Sequence, residues 1–357
     1  MSSYPTLLSP VTLGALTLPN RVIMAPMTRS RARDDGTVPA IYGDYFAQRS
    51  SAGLVITDAT MVSPQAVGYL NTPGIWTDEQ VEAWREVTAA VHAVGGLIVL
   101  QVMHCGRISH SALQPDLAAP VSSSGLRASA TMLLTPAGVE EPASEPRALE
   151  LNEIPGVIFQ FSDAARRGRA AGFDAIEIHA ANGYLIDQFL RDGVNQRHDR
   201  YGGSADNRAR FLLQVTEAVA KEFGADRTGV RLSPSNAANE MRDGNPLETF
   251  GTAVRHLGAL DLAWTHLADS GDTDLTNRLR DAHGKPFILN GGFTARTADA
   301  VIRSELAIAV SFGSLYIANP DLVERFEIDA ALNSPDRATY YTGGERGFID
   351  YPELSQS

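Results

Sequence analysis

Eight short apolar runs spread along the chain predict an α/β protein built as a closed (β/α)₈ barrel. Three observations carry that expectation. The runs are continuous rather than alternating in polarity, which suits parallel strands covered on both faces. Amphipathic helical stretches stand between several of them. No linker interrupts the series, which favours one barrel over an open doubly wound sheet.

Taken in order, Thr12-Leu13-Gly14-Ala15-Leu16-Thr17-Leu18 reads as a small hairpin with a Gly-containing turn, placed to plug the bottom of the barrel. The first strand is expected over residues 22–26 and the second over 54–59; a helix over 78–95 then leads to the third strand, 97–103. Residues from about 113 to 155 are rich in Ala, Ser and Pro without a strong helical period. That is too long for an ordinary βα loop, and it reads as an active-site cover with irregular structure of its own. Helices over 159–172 and 207–223 precede the fourth strand, 175–179, and the fifth, 229–233. Strands over 262–267, 286–291 and 308–313 complete the eight, with a helix over 294–304 between the last two.

A chain of 357 residues with 44% hydrophobic and 20% charged residues can bury a large core, and the whole of it, 1–357, reads as one domain. A net charge of −12 argues against nucleic acid or an anionic membrane surface as the main partner. Small molecules are left. The start Met1-Ser2-Ser3-Tyr4-Pro5 lacks a signal peptide's basic and apolar regions, no apolar run reaches membrane-spanning length, and the single Cys105 excludes an internal disulfide. A cytoplasmic protein is expected.

In such barrels the chemistry gathers at the C-terminal ends of the strands. There the first strand brings Pro26, Met27 and Thr28, the second Ala59, the third Gln101 and His104, and the fourth His179. The fifth brings Arg231, the seventh Gly291 and Gly292, and the eighth Gly313 and Ser314. Glycines at the last two ends let backbone N–H groups approach a phosphate. Arg231, inside an apolar strand, needs an anionic or strongly polar partner. An internal salt bridge to Glu177 is the plain alternative. The run Ile178-His179-Ala180-Ala181-Asn182-Gly183-Tyr184-Leu185 sets an imidazole and a carboxamide, able together to hold an anionic oxygen, beside a phenol able to supply a proton. His104, His179 and His266 raise a metal-dependent hydrolase as a remote alternative. That reading needs converging ligands, and it leaves the glycines unexplained.

Together with Asp187-Gln188-Phe189-Leu190-Arg191 and Asn195-Gln196-Arg197-His198-Asp199-Arg200-Tyr201-Gly202-Gly203-Ser204, the run resembles the signature of the Old Yellow Enzyme flavoproteins. The resemblance extends from Asn20-Arg21 to Tyr351-Pro352. It implies a TIM barrel holding FMN, reduced by NADPH or NADH and reoxidised by an electron-poor alkene, with nitro compounds, nitrate esters or quinones as alternative oxidants. It assigns Gln101 and Arg231 to the flavin's pyrimidine edge and to its N1/O2 charge. Pro26, Met27 and Ala59 take contact and backbone roles, and Thr28 bonds the C4 oxygen. Gly291, Gly292, Gly313 and Ser314 go to the phosphate. His179 and Asn182 would bind the substrate oxygen and Tyr184 would donate the proton, in a cavity shared with Tyr69, Met103 and Tyr341. A monomer or homodimer is expected. Three departures stand out. Ser314 occupies the place of an Arg that commonly pairs with the phosphate, so FMN is expected to leave more easily on dilution. Met103 replaces a Trp found in many members, softening the pocket. The region between the sixth and seventh strands is short, so a loop that often covers the substrate is reduced.

Overall fold

The computed structural model describes residues 3–268 and 272–354. Eight parallel strands run in chain order: β1 (Val22–Met24), β2 (Leu54–Ile56), β3 (Ile98–Met103), β4 (Ala175–His179), β5 (Thr228–Leu232), β6 (Trp264–Ala268), β7 (Phe287–Asn290) and β8 (Ala307–Phe312). Each pairs with the next, and β8 returns to β1 in the register Val310↔Val22 to Phe312↔Met24. The sheet is therefore closed, as the count of apolar runs required.

Two strands end two or more residues earlier than expected, for identifiable reasons. Pro26 has no N–H to donate, so pairing of β1 finishes with the Ala25 amide on the Phe312 carbonyl at 3.0 Å. After β2 the chain turns at Asp58 and resumes beside β3 as Thr60–Met61. The helix before β4 begins at Ile154, not 159, with Pro155 in its first turn. A proline's missing N–H costs nothing there, so its presence is a start signal rather than a loop signal. The insertion accordingly stops near residue 153. Residues 269–271, part of the short connection after β6, lie outside the described residues.

Alternation along the strands sorts side chains between two cores. Ile176 and Ile178 of β4 pack outward with the helices, as do Leu100 and Val102 of β3. Ala175 and Val99 point inward, where Ile23, Leu54, Ile56 and Ile288 meet Leu13, Leu16 and Leu18 of the N-terminal hairpin. The hairpin thus plugs the bottom of the barrel. Gly14 at its turn has φ +56°, and a Cβ there would lie 2.0 Å from the Asp226 carbonyl oxygen.

The insertion is ordered by two small sheets. Val121–Ser122 pairs in parallel with Arg147–Ala148, and Met132–Leu134 forms an antiparallel hairpin with Glu140–Pro142. At the far end of the chain, the buried Arg29 and Arg49 and the half-buried Arg31 hold the C-terminal segment down. Arg29 donates to the Gly347 carbonyl at 2.7 Å, Arg31 to that of Thr339 at 2.9 Å and Arg49 to that of Phe348 at 3.1 Å. These bonds fix Tyr340 and Tyr341 over the C-terminal end of the barrel.

Candidate active site

A cavity of about 800 Å³ opens at that end. Pro26, Met27, Thr28, Ala59, Gln101 and Arg231 line it, as do His179, Asn182, Tyr184, Tyr69, Met103 and Tyr341. Residues far apart in sequence converge here because each sits just beyond a barrel strand or on a loop folded over it. Tyr341 is 66% exposed, so it belongs to the cavity rim rather than to core packing. Met132, Leu134 and Glu140 bring the insertion hairpin onto the same cavity, which places it as the expected cover.

The turn after β4 is held from below. The Gly183 amide donates to the buried Asp187 carboxylate at 2.9 Å, and Asp187 pairs with Arg191 at 2.9 Å. Asn182 takes a left-handed φ of +57°, with its amide on Ser233 Oγ at 2.7 Å and its carbonyl accepting from Asn239 Nδ2 at 2.7 Å. Its side-chain oxygen accepts from Asn236 Nδ2 at 2.8 Å, which turns its own NH₂ group free as a donor. His179 Nδ1 accepts the Ala181 amide at 3.2 Å, so the ring proton sits on Nε2. Burial, reinforced by the nearby Arg231 charge, pushes the His179 pKa down to about 3. The imidazole is a neutral donor.

Tyr184 stands edge-on to His179, ring centroids 5.1 Å apart at 90°, with its hydroxyl 3.2 Å from that of Tyr69. Burial raises its pKa above the ordinary phenol value, so the proton stays on.

Beneath the cavity lies a buried polar layer. Glu177 accepts from Gln101 Nε2 at 2.8 Å, Trp264 Nε1 at 2.9 Å and His266 Nδ1 at 3.0 Å, and His266 Nε2 meets Ser311 Oγ at 2.8 Å. Gly229 leaves room for the indole, since a Cβ there would fall 2.1 Å from Trp264. Burial alone would raise the Glu177 carboxyl, but His266, with Arg231 and Trp264 behind it, holds its pKa down to about 2. The suggested Arg231–Glu177 salt bridge is not what forms. Arg231 donates to Asn290 Oδ1 at 3.0 Å and feels Glu177 only through its field, while its buried Nε has no partner.

A second cavity, about 490 Å³, lies beyond β7 and β8, lined by Gly292, Gly313 and Ser314. Gly313 and Ser314 line the first cavity as well, so the two adjoin. Gly291 lies outside both linings, and Gly292, at φ +64°, is the glycine that faces the space. Among the described residues no group of three or more His, Cys, Asp or Glu is placed to hold a metal ion. His266 is spent on Glu177 and Ser311, and His104 Nδ1 on the Gly106 amide at 3.0 Å.

Sequence reasoning passed over Asn236 and Asn239, the side chains that aim Asn182. The signal was present as Ser233-Pro234-Ser235-Asn236-Ala237-Ala238-Asn239, a polar run directly after a strand end. It also passed over the hairpin residues Met132, Leu134 and Glu140.

The residues fit FMN. An unpaired buried guanidinium N–H and the Gln101 amide oxygen suit the flavin's polar edge, Met27 and Ala59 its apolar face, and the glycine-lined space its phosphate. A closed barrel carrying such a site is a flavin-dependent oxidoreductase. Residues 6–333 match the model of the NADH:flavin oxidoreductase / NADH oxidase family. The chain is 41% identical to 12-oxophytodienoate reductase 2 of Arabidopsis thaliana, over 98% of this chain and 96% of that one. A structure of morphinone reductase in complex with tetrahydroNAD superposes with a TM-score of 0.95 at 46% identity, covering 98% of each chain. The Old Yellow Enzyme homologue from Zymomonas mobilis gives 0.94 at 42%, over 98% of this chain and 100% of that one. The chain belongs to this family, the Old Yellow Enzymes: it is an FMN-dependent ene-reductase supplied with hydride by NAD(P)H.

Proposed function

We propose that the site reduces the C=C bond of α,β-unsaturated carbonyl or nitro compounds, with His179 and Asn182 holding the substrate oxygen and Tyr184 donating the proton. The observation that carries this reading is the pair of free donors, His179 Nε2–H and the Asn182 NH₂, whose orientations are set by bonds on their other atoms. FMN held by these residues would supply the hydride chemistry, linking NAD(P)H as donor to the β-carbon of the alkene as acceptor. His179 and Asn182 then stabilise charge developing on the carbonyl or nitro oxygen. A neutral imidazole does this without giving up its proton. Tyr184 keeps its proton at working pH and delivers it to the α-carbon, with Tyr69 as hydrogen-bond partner for the phenol. Gln101 and Arg231 hold the flavin's pyrimidine edge, and Glu177 orients Gln101 by taking its NH₂ group. Gly292, Gly313 and Ser314 hold the phosphate.

The nicotinamide and the alkene use one cavity in turn, a reading supported by the tetrahydroNAD complex of morphinone reductase. Residues 1–357 act as a single FMN-binding domain, cytoplasmic, as a monomer or homodimer. No helix of the described residues is long and apolar enough to cross a membrane.

Anaerobic stopped-flow separates the half-reactions. In Tyr184→Phe, bleaching of the flavin by NADPH should proceed near the wild-type rate, while turnover of cyclohexenone to product slows by roughly 10²- to 10⁴-fold. Unchanged product formation would remove Tyr184 from the proton-donor role.

A further inference from the structure

We infer that Arg296 supplies the positive charge for the FMN phosphate and is what makes this chain prefer FMN to riboflavin. The inference rests on assigning the space beyond β7 and β8 to the phosphate, where barrels of this kind commonly bind one. A phosphate carries nearly two charges at neutral pH, and glycine amides and a serine hydroxyl supply only dipoles.

Two cations line that cavity, Arg296 and Arg325. Arg325 is already committed: it pairs with Asp321 at 2.7 Å and donates to the Ala331 and Pro352 carbonyls at 2.6 and 3.0 Å. Arg296, by contrast, has no hydrogen bond or ion pair among the described residues, and it lies in the first turn of the helix Ala295–Arg303. Thr294 and Thr297 cap that helix reciprocally, at 3.3 and 2.9 Å. The caps use the amides of those two residues and leave those of Ala295 and Arg296 as first-turn donors. Side chain, helix end and Gly292 thus border one space. The carboxylate lining it, Asp329, is occupied by the Tyr4 hydroxyl at 2.9 Å. Ser314 therefore does not leave the phosphate without a cation; the charge arrives from the helix after β7 instead of from the end of β8.

The test uses full-length apoprotein titrated with FMN and with riboflavin, following quenching of flavin fluorescence at low and high salt. Riboflavin lacks the phosphate, so it reports the ring site alone. In Arg296→Ala, FMN affinity should fall roughly 10- to 100-fold with riboflavin affinity unchanged, and the salt dependence of FMN binding should weaken. Arg296→Lys should keep part of the preference, and adding Ser314→Arg to Arg296→Ala should restore it. An equal FMN-to-riboflavin ratio in wild type and Arg296→Ala overturns the role of Arg296 while leaving the phosphate site in place. No preference for FMN in the wild type overturns the phosphate site itself.

Discussion

His179 shows how a single local bond selects chemistry: the Ala181 amide fixes the tautomer, and burial removes the charge. The site's pH behaviour follows. Because the folded His179 titrates near pH 3, kcat/KM should show no limb near pH 6.5 from this residue; a limb there that vanishes in His179→Asn would contradict the neutral imidazole. Stability carries the same signature. Burial also pushes His104 down to about 3, so both histidines favour folding fully above pH 6.5 and lose that contribution as the pH falls from 6.5 towards 3. Asp58 has the opposite sign. Burial raises its pKa to about 6, so its contribution is complete below about pH 4 and is lost as the pH rises through 6. Burial pushes His266 and His283 down as well, so between pH 4.5 and 6 the depressed histidines outweigh the one raised carboxyl of Asp58. Net stability of the apoprotein should therefore rise with pH there, read from urea midpoints, and a fall with rising pH would reverse the assignment. Below 4.5, protonation of Glu177 adds a further loss, since its pKa is held near 2.

At the scale of elements, the hairpin and the insertion were both anticipated in place, for different reasons. The hairpin's register follows from its inward leucines and a turn that only glycine fits easily. Replacing Gly14 with Ala puts a methyl against the Asp226 carbonyl at a left-handed φ, and should cost about 2–4 kcal/mol in urea unfolding. An unchanged midpoint would mean that the plug shifts without cost. The insertion could be placed by length alone, but its two small sheets could not be read. Their strands are two or three residues long, too short for a period to register. Only the fold shows that Met132 and Leu134 meet the cavity. The helix from Ile154 was legible in principle, from a proline in its first turn.

Across the whole molecule, the proposed cofactor contacts come from β1, β2, β3, β5, β7 and β8, so bound FMN ties together parts of the barrel that the chain joins only in sequence order. FMN at about a hundred times its dissociation constant should then stabilise the apoprotein by about 2.7 kcal/mol, seen as a raised melting temperature. An apoprotein that melts at the same temperature with and without saturating FMN would show that flavin does not bind the folded state selectively.

Apolar runs of strand length, glycine positions and one dense His-Asn-Tyr run were enough to point to the barrel and its active end, because each depends on neighbours close in sequence; the individual roles of Thr28, Gln101, Met103 and Tyr341 came from the family resemblance of the motifs instead. Tertiary structure alone decided the rest. That Glu177 bonds His266 rather than Arg231, that Asn236 and Asn239 aim Asn182, and that Arg296 lines one space with Gly292, Gly313 and Ser314 are arrangements between different strands and loops. Closure of the barrel brings those groups within a few ångströms of one another, and no local pattern in the chain records such distances.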